Sequence, residues 1–455
     1  MLSKIKYISY VIILYLISII FLPLQILIIL IRAICGKEDI KRINERFAFE
    51  NQDNNKSKII WIHAASVGES SVALTLVKIL HKIFLTHKNN INFLITSGTI
   101  TSRDFINLKL SNKAEDKTSF ENFVIHKFAP TDNIFIAYKF CRFWKPKIGI
   151  FIESEIWPST VFVSSKFCPL VIANARMSDK SFTKWKKLKF IAENIANHFS
   201  IAFPQSQYDK EKFHELGFVT SQNVGNLKYI TTSNKLNLKL KHLITDSKLL
   251  QDRYFLFAAS THSPEEEMII DIFRQMKEKD YKIFLIIAPR HPIRSKEIAK
   301  ILEQNHIKYL KRSDLINDSS NIIELCKDKD VLILDSIGEM NTIFSIKPIT
   351  IMGGSFTIGG HNILEPANYY SPIIFGPDMS NFQEIKEEFL NKNAAIEVSN
   401  KEELQTVLEK LFSVDPDDIN NYSALNKITK NAFFIIKNKQ KIKEKYIEYF
   451  KNIRI

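Results

Sequence analysis

Residues 59–69 read Ile-Ile-Trp-Ile-His-Ala-Ala-Ser-Val-Gly-Glu, and they show the structural unit that the rest of the chain repeats. The apolar run Ile59–His63 predicts a buried strand, whereas Ser70–Phe84 carries apolar residues at helical spacing and predicts a helix. The small residues between them predict a tight turn, in which Gly68 allows close approach. A strand that leads directly into a helix is the repeating unit of a parallel α/β sheet.

The same unit recurs along the 455 residues, a length that itself favours two domains. Further strands are predicted at Ile91–Ile95, Lys147–Ile152, Leu170–Ala173, Ser200–Ala202, Phe255–Ala258, Ile283–Ile287, Val331–Leu334, Ile349–Met352 and Ile373–Phe375. Helical patterns separate them, which predicts right-handed parallel sheets with helices on both faces. Because the alternation restarts after Asn234–Leu250, we predict two doubly wound, Rossmann-like domains at residues 37–235 and 236–424. The Lys-rich helical stretch Leu425–Phe450, within residues 425–455, is expected to pack back across them.

The N-terminus predicts a membrane anchor over residues 1–36. No charged residue occurs in Tyr7–Ile31, a run of 25 residues that is long enough to span a bilayer. Lys4 and Lys6 precede it, and the heavier basic flank follows it at Arg32, Lys37, Lys41, Arg42 and Arg46. This asymmetry favours a cytoplasmic location for the rest of the chain. A cleaved signal peptide is the first alternative, although the run is long for one. A kinked helix lying in the membrane interface, suggested by Pro23 and Gln25, is the second.

The charge balance is basic, with 63 Lys and Arg against 49 Asp and Glu and a net charge of +14. Such a surplus suits polyanions or an anionic membrane surface, although compositional drift toward Lys gives the same number. No nucleic-acid recognition motif occurs, so we expect an anionic inner membrane as partner and no nucleic acid. The four cysteines are scattered without a C-x-x-C pair, which argues against a zinc site or a disulfide framework.

Ligands of parallel sheets bind beyond the carboxyl ends of the strands, and the first domain has carboxylates there. Glu69 opens the helix after the first strand, either as a general base beside an acceptor hydroxyl or merely as a complement to the helix dipole. Glu153 and Glu155 follow another buried strand in the segment FIESEIWP. They can stabilise a developing oxocarbenium ion, or Ser154 and Glu155 can simply cap the next helix.

Further polar segments follow the remaining strands. Lys228, in the segment GNLK, reads by itself as an ordinary solvated lysine. In the second domain Arg290, within PRHP, is a planar donor suited to phosphate or carboxylate. The paired glycines of GGSFTIGGHNILEP, residues 353–366, predict backbone N–H groups at a helix N-terminus that cradle a phosphate. Glu365 on that helix is suited to accept hydrogen bonds from ribose hydroxyls.

Together these motifs resemble the bacterial 3-deoxy-D-manno-octulosonic acid (Kdo) transferases, a family with the GT-B fold. The resemblance covers nearly the whole chain through IHAASVGE, ESEIWP, NARMS, GNLKY, STH, PRHP, DSIGE, GGHNILEP and GPDMSNF, in the order of that family. Ser154 and Ile337 stand where the family often has Thr and Met. The loop 356–358 lacks a basic residue often found there.

The resemblance implies that Glu69 is the proton acceptor and that Glu153 and Lys228 stabilise the transition state. It also implies a CMP-binding set made of Pro289, Arg290, Ile337, Gly338, Glu339, Asn362, Ile363, Leu364 and Glu365. The implied reaction is inverting transfer of Kdo from CMP-Kdo to a lipid A precursor, lipid IVA, in lipopolysaccharide biosynthesis. It needs no cofactor and no divalent metal, and it takes place on the cytoplasmic side of the inner membrane.

Two other functions are compatible with parts of this pattern. A nucleotide-sugar epimerase can share the fold without any lipid acceptor, and the predicted anchor argues against it. A basic, membrane-tethered binding protein is the non-enzymatic option, and the carboxylates at the strand ends argue against that.

Overall fold

The computed structural model of the protein describes residues 2–49, 57–85, 91–111, 123–221, 225–230, 236–245, 253–316, 328–412 and 419–453. The chain divides into two compact units. Unit 1 comprises Met1–Ile230 and Lys439–Ile455, and unit 2 comprises Thr231–Asn438.

Unit 1 is built on a parallel sheet in the order β3-β2-β1-β4-β5-β6 among its described residues. The strands are β1 Lys58–His63, β2 Ile91–Ser97, β3 Val124–Phe128, β4 Ile148–Ile152, β5 Leu170–Ala175 and β6 Phe199–Pro204. In the central register Trp61 lies opposite Leu94 on one side and Gly149 on the other. A Cβ on Gly149 would lie 3.3 Å from the Trp61 ring and 2.7 Å from the Leu170 side chain. Glycine is therefore what lets β4 pass the buried indole.

The helices of unit 1 are α1 Leu2–Ile20, α2 Leu22–Ile34, α3 Val67–Leu85, α4 Ile100–Ser111, α5 Ile134–Trp144, α6 Pro158–Ser164, α7 Asp179–Lys187, α8 Lys189–Ala196 and α9 Gln207–Glu215. Short 3-10 helices lie at Ile40–Phe47 and Leu227–Tyr229. Side chains alternate along β1: Ile59 and Trp61 join the core on one face of the sheet, and Ile60 and Ile62 join the core on the other. Both faces are covered, so the central strands read as continuous apolar runs.

Unit 2 repeats the architecture, with strand order β13-β12-β11-β7-β8-β10-β9 in its described part and parallel pairing throughout. Its strands are β7 Tyr254–Thr261, β8 Ile283–Pro289, β9 Tyr309–Lys311, β10 Val331–Ile333, β11 Ile349–Met352, β12 Ile373–Phe375 and β13 Ile396–Glu397. Its helices are α10 Leu238–Thr245, α11 Glu265–Glu278, α12 Ser295–Gln304, α13 Arg312–Ile316, α14 Met340–Phe344, α15 Leu364–Ala367, α16 Gln383–Asn391, α17 Lys401–Phe412 and α18 Ile419–Lys439, with 3-10 turns at Pro292–Arg294 and Ser380–Phe382. Two Rossmann-like parallel sheets confirm the predicted α/β fold class.

The apolar N-terminal run is not one continuous helix. It breaks at Phe21, because Pro23 in the first turn of α2 has no N–H to donate and its ring crowds the carbonyl one turn back. Within the part of the chain that the structure describes, no single helix is long and apolar enough to cross a membrane. The bent pair Tyr7–Ile20 and Leu22–Ile34, at 48°, reaches that length and composition only together. The membrane anchor therefore stays a prediction.

The C-terminal stretch also differs from the single helix expected over Leu425–Phe450. It forms α18 and then α19, Lys441–Lys451, with Gln440 between them, and this break lies at the boundary between the units. Helix α19 packs on unit 1, where Ile442 fills the space in front of Gly225. The Tyr446 hydroxyl accepts a hydrogen bond of 3.0 Å from the Asn174 N–H.

Candidate active site

The turn between β1 and α3 holds Glu69 through its own backbone. The Ala65 N–H donates to Glu69 Oε2 at 2.8 Å, and the Ser66 hydroxyl donates to Oε1 at 2.8 Å. The Gly98 N–H in turn donates to the Ala65 carbonyl at 3.1 Å, and a Cβ on Gly98 would lie 2.9 Å from that oxygen. The turn is therefore locked against the end of β2, and the carboxylate has a defined orientation.

The electrostatics of this turn suit a base that works near neutral pH. Glu69 is only 9% exposed. Burial raises the pKa of Glu69 to about 7, and the nearby Glu155 charge adds to the rise, while the bonds from Ser66 and Ala65 oppose it. A carboxylate with such a pKa exchanges a proton readily at neutral pH.

The turn after β4 brings Glu153 close to Lys228, two residues predicted to act together. Glu153 has a φ of 57°, a left-handed conformation that is uncommon for a residue other than glycine. The distance from Glu153 Oε1 to Lys228 Nζ is 3.7 Å, and both side chains are about one-fifth exposed, at 18% and 22%. The pair therefore lies at the same sheet edge as Glu69, because β4 is the neighbour of β1.

A buried amide network, which the sequence did not reveal, supports the Lys228 turn. Asn174 accepts a 2.7 Å bond from the Leu227 N–H, and Asn226 donates to Gln205 at 2.8 Å. Gln205 also donates to the Asn174 carbonyl at 2.9 Å and lies 3.5 Å from Glu153 Oε1. Motifs containing Asn174 and Asn226 stood out in the sequence, whereas nothing distinguished Gln205.

Glu155 is held as a second carboxylate in the same region. Its Oε2 accepts a 2.7 Å hydrogen bond from the Trp157 indole and lies 3.6 Å from His63 Nε2. Burial by itself would raise the pKa of Glu155, but the contacts with His63 and Trp157 outweigh it and lower the pKa. The alternative that Ser154 or Glu155 caps α6 is wrong, because Trp157 occupies the N-cap position and no side chain caps it.

A cavity of about 530 Å³ borders these turns within unit 1. One side is formed by α2, through Gln25, Ile28 and Ile29, and the other by strand-end turns that include Gly98, Pro130 and Trp157. Arg32, Arg46 and Glu38 form a charged part of its wall. Two lining residues contact the candidate site: the Gly98 N–H donates to the Ala65 carbonyl in the turn that holds Glu69, and the Trp157 indole donates to Glu155.

In unit 2 three glycine N–H groups of the predicted phosphate cradle already have partners, and the cradle itself stays a prediction. The Gly354 N–H donates to Glu265 at 2.8 Å, the Gly353 N–H donates to the Ala259 carbonyl, and the Gly360 N–H donates to the Gly354 carbonyl. These groups are occupied within the protein. The helix after the turn, α15, has only four residues. Tyr370, three residues after its end, has a left-handed φ of 59°, and Pro372 disfavours a helical conformation at Ser371, so the helix does not continue.

The predicted CMP-binding residues lie at the carboxyl ends of three strands of one sheet, β8, β10 and β11, with β7 between β11 and β8. Pro289 ends β8 and Arg290 follows it, residues 337–339 follow β10, and residues 362–365 follow the turn after β11. Arg290 and Ile337 are exposed, whereas the side chains of Ile363 and Leu364 are fully buried. Contacts from the last two to a ligand can therefore come only from their backbone.

Two acidic members of this set already have partners. Glu339 is paired with Arg312 at 2.9 Å, and it also accepts from the Ser336 hydroxyl and from Asn237. Burial would raise its pKa, but the Arg312 contact and these hydrogen bonds outweigh that effect and lower it. Asn362 donates to Glu365 at 3.3 Å. Among the described residues, no group of three or more His, Cys, Asp or Glu residues is arranged to hold a metal ion.

Comparisons with known proteins show the family to which the chain is similar. The family model described as 3-Deoxy-D-manno-octulosonic-acid transferase (kdotransferase) matches residues 41–231. The chain is 39% identical over 434 residues to the 3-deoxy-D-manno-octulosonic acid transferase of Rickettsia bellii, covering 95% of this chain and 97% of that protein. It is 31% identical over 380 residues to the 3-deoxy-D-manno-octulosonic acid transferase of Haemophilus influenzae, covering 82% and 84%. A solved glycosyltransferase from Rickettsia africae, 13% identical, shares the fold with a TM-score of 0.50 over 88% of this chain and 100% of that chain.

Proposed function

The chain belongs to the family of Kdo transferases and is thus a glycosyltransferase. We propose that it transfers Kdo from CMP-Kdo to lipid IVA with inversion of the anomeric centre. The observation that carries the proposal is Glu69, a buried carboxylate oriented by its own turn and with a pKa of about 7. Such a group accepts the proton of a sugar hydroxyl at neutral pH.

The arrangement of charges supports a single displacement. Glu69 takes the proton as the acceptor oxygen bonds to the anomeric carbon, and the bond from that carbon to the CMP phosphate breaks with its electron pair on the phosphate. Glu153 is engaged by Lys228 and Gln205, so it supplies negative charge to an oxocarbenium-like transition state rather than a nucleophile. A single displacement inverts the anomeric centre.

The cavity beside α2 supports a lipid as acceptor. Its wall combines apolar side chains such as Ile28 and Ile29 with Arg32 and Arg46, a mixture that suits an acylated and phosphorylated sugar. Both arginines are paired with Glu38, Arg32 at 2.7 Å and Arg46 at 2.9 Å. Arg32 is 38% exposed and Arg46 only 8%, so Arg32 is the more accessible cation. The cavity's lining residue Gly98 bonds to the Ala65 carbonyl, so an acceptor bound in this cavity lies beside the turn that carries Glu69.

The contacts of α1 and α2 support placement in the membrane interface. Tyr10 and Leu14 are buried in the core of unit 1, and the Ser18 carbonyl accepts a 2.7 Å bond from Asn133. The opposite face is apolar and exposed along both helices, for example at Leu16 and Leu27, each 51% exposed. A helix pair tied to its domain on one face and apolar on the other is typical of an interfacial anchor.

Product analysis tests the reaction. We expect purified protein to add Kdo to tetra-acylated lipid IVA from CMP-Kdo, seen by mass spectrometry, and NMR of the product to show inversion. Consumption of CMP-Kdo without acceptor, with no glycosylated lipid, would instead favour an epimerase. Retention of anomeric configuration would overturn the displacement proposed for Glu69.

Vesicle flotation tests the anchor. Replacing two exposed leucines, Leu16→Lys with Leu27→Lys, should release the protein from vesicles containing anionic lipid, because each buried leucine contributes about 1.5–3 kcal/mol. Leu188→Lys, also 51% exposed but outside α1 and α2, is the matched control and should float normally. Equal flotation of both variants would mean that another surface binds the membrane.

A further inference from the structure

Three histidines meet at the carboxyl edge of the second sheet, and none of them has a role in the reaction as described so far. His262 follows β7, His291 follows β8 and His361 lies in the turn after β11, and these three strands are neighbours in the sheet. The three residues come from the motifs STH, PRHP and GGHN.

His262 and His361 form a direct pair. Their Nε2 atoms are 2.9 Å apart, and the rings are nearly parallel at 18° with centroids 5.1 Å apart. A hydrogen bond between two imidazole nitrogens needs one proton between them, because two N–H groups, or two lone pairs, repel. Gly354 makes room for the pair, since a Cβ there would lie 3.1 Å from His361 Nε2.

The carboxylates near the pair are committed to other donors. Glu265 accepts from the backbone N–H groups of Gly354, Phe356 and His262. Glu266 accepts from the Thr261 hydroxyl at 3.1 Å and from Arg294 at 3.3 Å. Neither carboxylate hydrogen-bonds an imidazole ring of the pair in these contacts.

The remaining charged neighbours are cations. Burial lowers the pKa of His361 to about 4, with Arg290, His262 and His291 adding to the effect. Burial also lowers the pKa of His262, and His291, Arg290 and Arg294 add to that, while Glu266 opposes it. The two imidazoles are therefore neutral at pH 7 and have cationic neighbours. An anion that binds beside them would raise their pKa values and favour protonation.

The Gly353, Gly354 and Gly360 N–H groups are already used, so side chains at this edge are further candidates to bind a phosphate. We propose that His262 and His361 form a phosphate-binding imidazole pair that takes up one proton when CMP-Kdo or CMP binds and donates a hydrogen bond to the departing phosphate oxygen. This inference rests on the proposed function, since it takes the phosphate of CMP as its ligand.

The step balances in atoms and charge. When the bond from the anomeric carbon to the phosphate oxygen breaks, its electron pair stays on that oxygen and the phosphate changes from monoanion to dianion. The acceptor hydroxyl proton goes to Glu69. The proton held by the pair comes from solvent at binding, and it is donated in a hydrogen bond to the oxygen that gains charge, which stabilises the leaving group. A phosphate monoester such as CMP has its second pKa at about 6. At pH 7 it is therefore mostly a dianion, and this is the form that the protonated pair binds.

Titration calorimetry of CMP binding at pH 7, in buffers of different ionisation enthalpy, measures the proton uptake. We expect the parent protein to take up about one proton per CMP and its affinity to fall up to about tenfold per pH unit above pH 7. His361→Gln should abolish the uptake and flatten this pH dependence, because glutamine keeps an amide donor but does not titrate. His262→Gln should do the same, and it carries the test if the first variant fails to fold.

Two controls make the result specific. His214→Gln, at an exposed histidine of unit 1, should retain full proton uptake, and cytidine without phosphate should cause none. CMP binding without uptake, or uptake unchanged in both pair variants, overturns the inference and leaves the proposed function standing. Loss of uptake in His291→Gln alone overturns the assignment to this pair. No CMP binding by the folded parent contradicts both the inference and the proposed donor.

Discussion

The turns after β1 and β4 in unit 1 and the turns after β7, β8 and β11 in unit 2 have equivalent places in two parallel sheets but carry different ionisable groups. The first region gathers carboxylates, Glu69, Glu153 and Glu155. The second gathers Arg290 and three histidines. In the first region burial and a neighbouring anion raise the pKa of Glu69, and in the second burial and neighbouring cations lower the pKa of His361. In the proposed roles, the same sheet edge provides a proton acceptor in one unit and an anion site in the other.

The contrast predicts which substitutions affect chemistry and which affect nucleotide binding. Glu69→Gln should have the largest effect, a loss of transfer of ~10²-fold or more, as expected for removal of a general base. The protein should still fold and bind CMP. Steady-state rates with the purified variant check this, with Glu211→Gln, an exposed glutamate of unit 1, as control. Near-parent turnover of Glu69→Gln would remove Glu69 from its assigned role.

The pH dependence of transfer should also reflect Glu69, with a smaller effect than its substitution. Glu69 acts when ionised, so kcat/KM for the lipid acceptor, measured at saturating CMP-Kdo, should fall about tenfold per pH unit below pH 7 and level off above it. Glu155→Gln removes an anion that raises the pKa of Glu69, so the acidic limb of the profile should move to lower pH. A profile of kcat/KM for the parent and the variant measures this. An acidic limb that stays in place would show that Glu155 does not influence Glu69.

The smallest expected effect is none. The phosphate partners proposed in unit 2 are Arg290 and imidazoles, which are donors rather than metal ligands. Transfer should therefore persist in excess EDTA, assayed against an untreated sample. Loss of activity that magnesium restores would mean that the phosphate is bound through a metal ion and not by Arg290 and the imidazoles alone.

The inner strands of both sheets could be predicted from the sequence, whereas three edge strands could not. The missed strands are β3, β9 and β13, which lie at the outer positions of their sheets. β3 includes the partly exposed pair His126 and Lys127, and β9 and β13 have only three and two residues. Edge strands lack the burial on both faces that makes central strands read as apolar runs.

The site was predictable in position but not in its pairings. Strand-end turns follow from the alternation of strands and helices, and so Glu69, Glu153 and Arg290 could be located from the sequence. The pairing of His262 with His361, 99 residues apart, depends on the order β11-β7 in the sheet, which the sequence does not show. The sequence also does not show that Glu265, at the start of α11, accepts from the Gly354 N–H, because that contact joins two separate turns of the sheet.

Calorimetry of CMP binding to two variants tests the central claim, that acceptance of the proton and binding of the nucleotide belong to different units. Glu365→Ala should weaken CMP binding by ~1–3 kcal/mol, the scale of lost hydrogen bonds to a charged group. Glu69→Ala should leave the affinity for CMP almost unchanged, although the variant is inactive in transfer. Loss of CMP binding in Glu69→Ala, with binding retained in Glu365→Ala, would contradict the account.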